Sequence, residues 1–138
     1  MKSSLKLLAI LMLSLATALA WAQEKVVYHF DSGYEQGTNG IRNMNNHLEA
    51  DPKAKIIAVT HAAGVDFLME DAKDALGLFD ARVQDLMGKG VKFQVCEITL
   101  RSRKLKKEQF ILGVEFVPSG VVQITHLQQK EGYAYLKP

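Results

Sequence analysis

The chain has a single cysteine, Cys96, among 138 residues. An internal disulfide is therefore excluded, and with it the disulfide framework that stabilises many small exported domains. Only three prolines and one tryptophan occur. No proline-rich linker, low-complexity tract or internal repeat divides the chain. Neither sign of charge dominates: 17 Lys and Arg stand against 15 Asp and Glu. That balance gives no electrostatic footprint for nucleic acid. Beyond the first two dozen residues no apolar run reaches the roughly 20 residues needed to span a bilayer. The glycines of DSGYEQGTNG, residues 31–40, lack GxGxxG or GxxxxGK spacing, which excludes a dinucleotide site. No GxSxG elbow or HExxH pair is present.

What is present begins with MKSSLKLLAILMLSLATALAWAQ. Lys2 and Lys6 precede a short apolar stretch, and small residues lead to Ala20-Trp21-Ala22. This is the layout of a secretory signal peptide over 1–22, with cleavage after Ala22 or, second, after Ala20. The alternative is an uncleaved anchor. Export places the protein in the periplasm, with no membrane segment after cleavage and no nucleic-acid partner. Losing Lys2 and Lys6 would leave 15 basic and 15 acidic residues over 23–138, one small domain.

The rest of the chain alternates β-rich runs with helix-like segments. KVVYHF (25–30), KIIAVT (55–60), 91–96, 113–117 and 133–136 read as five strands. Apolar spacing predicts helices over 39–49 and 77–88, and a helical turn over 65–69. A further helix is expected to start at Thr99 as cap, with Leu100, Leu105 and Phe110 as its contacts. Another follows Ser119 and stops at Gly132. Strands joined by helices pair in parallel, and the first three strands are apolar on both faces. The expected fold is α/β: a three-layer α/β/α sandwich around a mainly parallel five-stranded sheet.

Sites in such sheets form beyond the carboxyl ends of the strands. Three chemically capable residues fall there: His29 near the end of the first strand, His61 after the second and Cys96 at the end of the third. Cys96 just before a helix, with Arg101, Arg103, Lys104, Lys106 and Lys107 following, is placed to be a thiolate nucleophile. Otherwise it is a small buried apolar residue. The basic run is either a solvated face or a source of positive potential. His29 and His61 are candidate bases tuning the thiol. With Cys96 they would also make a two-His, one-Cys metal set, although no tight ligand spacing supports a metal or any other cofactor. Asp31 either orients His29 or caps the loop. His47 and His126 lie on helices without an evident role.

Several segments resemble the DsrE/DsrF-like (DsrEFH-like) family, in its exported, stand-alone form. They are KVVYHFD (25–31), IRNMNNHL (41–48), KIIAVTHAAGVDFL (55–68), GVKFQVCEITL (90–100) and VPSGVVQITHLQQKEGYAYLKP (117–138). The resemblance implies a small α/β/α domain that assembles as a homo-oligomer, a trimer or hexamer among the options. It implies sulfur relay, with sulfane sulfur carried as a persulfide on the cysteine matching Cys96. The partner is then a thiol-bearing sulfur donor or acceptor protein. Asn43 and Asn46 match the family's asparagine-containing first helix, where a structural role is implied. The rival reading is an oligomeric binding or scaffold module whose cysteine is inert.

Overall fold

The computed structural model describes residues 23–138, so the signal peptide expected over 1–22 lies outside the described residues. The chain runs β1 (Lys25–Phe30), α1 (Tyr34–Ala50), β2 (Lys55–Thr60), a 3-10 helix (Ala62–Leu68), β3 (Lys73–Asp74) and β4 (Gly77–Leu78). It continues through α2 (Phe79–Gly88), β5 (Lys92–Cys96), α3 (Glu97–Arg103), a 3-10 turn (Lys107–Gln109), β6 (Glu115–Val117), α4 (Gly120–Glu131) and β7 (Ala134–Leu136). Five strands form one sheet in the order β6-β5-β2-β1-β7. Every neighbouring pair in it is parallel, so all five strands end at one edge. The expected α/β fold with a parallel five-stranded sheet is what the chain adopts.

Side chains alternate across each strand, and the two faces are buried separately. Tyr28, Phe30, Ile56, Ala58, Phe93 and Val95 pack under α1, α2 and the first 3-10 helix through Ile41, Met44, Phe67, Phe79 and Leu86. The opposite residues Val27, Ile57 and Val59 pack under α4 through Ile124 and Leu127, with Tyr133 closing the end. One face thus carries several helical elements and the other mainly α4. No helix among the described residues is long and apolar enough to cross a membrane.

Three helix starts differ from the sequence expectation. The α1 helix begins at Tyr34 rather than 39, so most of the glycine-rich segment is helical. Its glycines serve packing. A Cβ on Gly37 would stand 2.6 Å from Phe67 Cγ, and one on Gly40 would stand 2.2 Å from Phe30 Cε1. Gln36 Oε1 accepts from the backbone N–H groups of Asp31 and Ser32, each at 2.8 Å, and closes the entry loop. The α3 helix begins at Glu97, directly after β5, with Cys96 as the N-cap residue. Thr99 is therefore its third residue and does not cap it. The helix stops at Arg103, where Lys104 turns left-handed (φ 55°), so Leu105 and Phe110 lie outside it. The start of the expected 77–88 helix is likewise taken up by a two-residue ribbon, β3 against β4. The remaining helix matches expectation closely. Ser119 Oγ accepts from Val122 N at 3.4 Å, and Gly132 ends α4 at φ 71°.

Candidate functional site

The face covered by α4 carries the chemistry at its carboxyl edge. On β1, Val27 faces α4, and His29 follows two places later on the same side. On β2, Ile57 and Val59 face α4, and His61 continues the alternation. On β5, Gln94 and Cys96 share that face, Gln94 being tied to Gln123 of α4 at 3.0 Å. The register pairs His29 with Val59 and Thr60 with Val95. The three residues named from sequence therefore meet one layer, beneath the first residue of α4.

That residue is Gly120, and it brings two of them close. A Cβ on Gly120 would lie 3.2 Å from His61 Cβ and 3.3 Å from Cys96 Cβ. His61 and Cys96 flank the same backbone atom, and a side chain there would press on both.

Cys96 is 4% exposed. Burial pushes its thiol pKa up, but the N–H groups of Gly120, Thr99 and Ile98 and the Thr99 hydroxyl outweigh it and hold the thiol below its ordinary value. Two of these amides open α3 and one opens α4, so two helix starts converge on one sulfur. None of them reaches the geometry of a conventional side-chain cap. Thr99 Oγ1 accepts from Ala62 N at 2.9 Å, which leaves its own proton free to donate. Neither histidine is among the groups that set the thiol's acidity.

The histidines contact each other instead. His29 Nε2 lies 2.7 Å from His61 Nε2, and His29 Nδ1 lies 2.6 Å from the Tyr135 hydroxyl. The ring centroids are 4.9 Å apart with planes inclined by 24°. That separation is close to the nitrogen contact plus the two ring radii, so the rings meet edge to edge, nitrogen facing nitrogen. Burial first, and then the charge of His61, lower the His29 pKa, against an opposing pull from Asp31. Asp31 forms no hydrogen bond to His29. Its carboxylate is held by Lys137 Nζ at 2.6 Å and Ser32 Oγ at 3.1 Å, and the Lys137 hydrogen bond leads the causes that lower its pKa.

The model of the DsrE/DsrF-like family matches residues 9–138. The chain belongs to the DsrE/DsrF-like family. This family is associated with sulfur relay. Among solved structures, the chain is similar to MTH1491, a protein of unknown function from Methanobacterium thermoautotrophicum. The two share 32% identity with a TM-score of 0.76, over 84% of this chain and 100% of that one. It is also similar to the ychN protein from E. coli, at 17% identity and a TM-score of 0.67, over 84% and 99% of the two chains. That second likeness concerns the fold alone. No curated protein matches.

In this DsrE/DsrF-like chain the basic run after Cys96 is partly consumed by ion pairs. Arg103 pairs with Asp66 at 2.6 Å and also donates to Ala62 O at 3.0 Å. Lys107 pairs with Glu97 at 2.5 Å. Asn43 offers its backbone carbonyl to Tyr28 OH at 3.5 Å, whereas Asn46 is exposed. His47 Nδ1 meets Tyr28 OH at 3.2 Å, and His126 pairs with Glu131. Sequence reasoning missed Tyr135 and the Gly120 amide. The tyrosine reaches His29 because β7 pairs with β1, Val27 against Tyr135. The strand order creates that neighbour.

Proposed function

We propose that the protein is a periplasmic sulfur carrier that holds sulfane sulfur as a persulfide on Cys96. The observation that carries this reading is the place of Cys96 between two helix starts, as the residue that precedes α3 and lies against Gly120 of α4, at the carboxyl edge of the sheet. A cysteine serving only as apolar filling gains nothing from two helix N-termini, whereas a thiolate does. In the loading step, the Cys96 thiolate attacks the outer sulfur of a persulfide or polysulfide. A new S–S bond forms, the donor's S–S bond breaks, and the donor leaves as a thiolate. In the unloading step, an acceptor thiolate attacks the outer sulfur and Cys96 leaves as thiolate. No net oxidant is consumed. Because the chain has no second cysteine, the acceptor thiol belongs to a partner. In this reading His61 acts on the thiol indirectly, through its packing beside Gly120, and His29 acts through His61.

Copies of the chain would assemble to give the carrier its partner surface. Val121 and Val122 on α4 and Tyr135 on β7 are exposed apolar side chains beside the site. Val114 and Phe116 are partly buried and pack against the core.

The test is intact-mass analysis before and after polysulfide treatment, with Cys96→Ser alongside. The expected result is a gain of about 32 Da per sulfur on the wild type only, reversed by reductant. The scaffold reading expects no gain and a thiol unreactive until unfolding, as the burial of Cys96 would then imply.

A further inference from the structure

We infer that His29, His61 and Asp31 form a site for a first-row divalent transition-metal ion, with Zn2+ as the natural probe. One ligand atom from each of the three lies within 4.8 Å of the others, and all three residues are half-buried. Cys96 is not in this group, so the ligand set differs from the His29, His61 and Cys96 combination that sequence order offers.

The sheet itself builds the cluster. Asp31 directly follows β1, His61 directly follows β2, and His29 stands diagonally across from His61 on the same face. The histidines supply the more specific argument. Two imidazoles meeting nitrogen to nitrogen at 2.7 Å can share only one proton, one ring donating and the other accepting. A metal ion in place of that proton takes both lone pairs. Zinc–nitrogen bonds are about 2.0–2.1 Å, and a tetrahedral angle sets the two nitrogens roughly 3.3 Å apart. The rings need to part by about half an ångström and to tilt, so that both lone pairs point at one ion.

The surrounding groups fit the same role. Metal-bound histidines commonly use the other ring nitrogen to donate to an oxygen, which fixes the tautomer. His29 Nδ1 has that oxygen in Tyr135 OH at 2.6 Å. Asp31 supplies a hard, negative third ligand. Its partner Lys137 is an exposed side chain that can swing aside. Three protein ligands leave a fourth position for water or a small anion, the pattern of an open site.

The test uses purified, untagged, chelator-treated protein titrated with Zn2+ against a chromophoric competitor, and with Co2+ as a spectroscopic probe. We expect one ion per chain. His29→Gln and His61→Gln should each weaken binding at least tenfold, and Tyr135→Phe by about tenfold to a hundredfold. Cys96→Ser should bind as the wild type does, and the Co2+ spectrum should lack a thiolate charge-transfer band. His47 and His126 remain in every variant and control for adventitious surface binding. Affinity equal in the wild type and in a His29→Gln/His61→Gln double variant overturns the inference, as does loss of binding in Cys96→Ser. Should the histidine variants unfold, Asp31→Asn and Tyr135→Phe at the solvent edge decide it: unchanged affinity in both overturns the site. The inference stands apart from the carrier reading, because Cys96→Ser abolishes sulfur uptake but leaves metal binding intact.

Discussion

Replacing Gly40 by alanine tests whether the glycine-rich segment is a packed helix. The new Cβ would stand 2.2 Å from Phe30 Cε1 and 2.3 Å from Cζ. Carbon atoms in contact sit about 3.5–4.0 Å apart, so the ring must retreat by more than ~1 Å. It has little room. Phe30 is fully buried, its ring lies 5.0 Å from that of Phe67, and its carbonyl presses on Gly64. Overpacking of this kind costs about 1–3 kcal/mol, and a ring with no exit belongs near the top of that range. Alanine regains about 1 kcal/mol of helix propensity. The net loss is about 1–2 kcal/mol, a drop of roughly 0.5–1 M in the urea midpoint at fixed protein concentration. Gly88 is the control: it ends α2 with nothing within 4 Å of a Cβ and no left-handed φ. Gly88→Ala should hold or raise the midpoint, by up to about 0.5 M. A Gly40→Ala protein as stable as wild type would refute the close-packing account of α1.

Two further predictions concern charge. Alkylation of Cys96 by a small reagent should reach half its maximal rate at a lower pH than a free cysteine, because the thiolate persists below the ordinary thiol value. Thr99→Val should move that midpoint upward; a profile at or above that of free cysteine would contradict the role given to the surrounding donors. The second prediction concerns Asp74, whose carboxylate accepts from Thr38 and meets Arg82 through both oxygens, at 2.9 and 3.0 Å. Burial pushes its pKa up, but these bonds outweigh burial and hold it low. A lowered carboxylate adds stability that is fully present above its unfolded value, near ~3.9, and is lost as pH falls through the folded value. Asp74→Asn should therefore be less stable than wild type near neutrality. Urea unfolding at about pH 6 and about pH 3 should show the gap narrowing in acid. A gap independent of pH would assign the loss to geometry alone.

The sequence by itself determined the strands of the five-stranded sheet, since KVVYHF and KIIAVT are β-branched and aromatic runs with no competing helical period. It also determined α4, whose limits Ser119 and Gly132 act within one turn of backbone. It placed His29, His61 and Cys96 at one sheet edge, because parallel strands all end on the same side. Local signals failed where distance in space mattered more than distance along the chain. Gly37 and Gly40 read as loop because the phenylalanine rings that require them lie on other elements. Thr99 read as a cap because its actual partner, the Ala62 amide, is 37 positions away. Tertiary structure alone decided that β2 lies between β1 and β5, that β7 sets Tyr135 beside His29, and that Gly120 brings α4 onto His61 and Cys96. Side-chain alternation follows from backbone geometry within a strand. Strand order follows from how the connecting helices pack across the whole sheet, and the contacts between candidate site residues depend on that order.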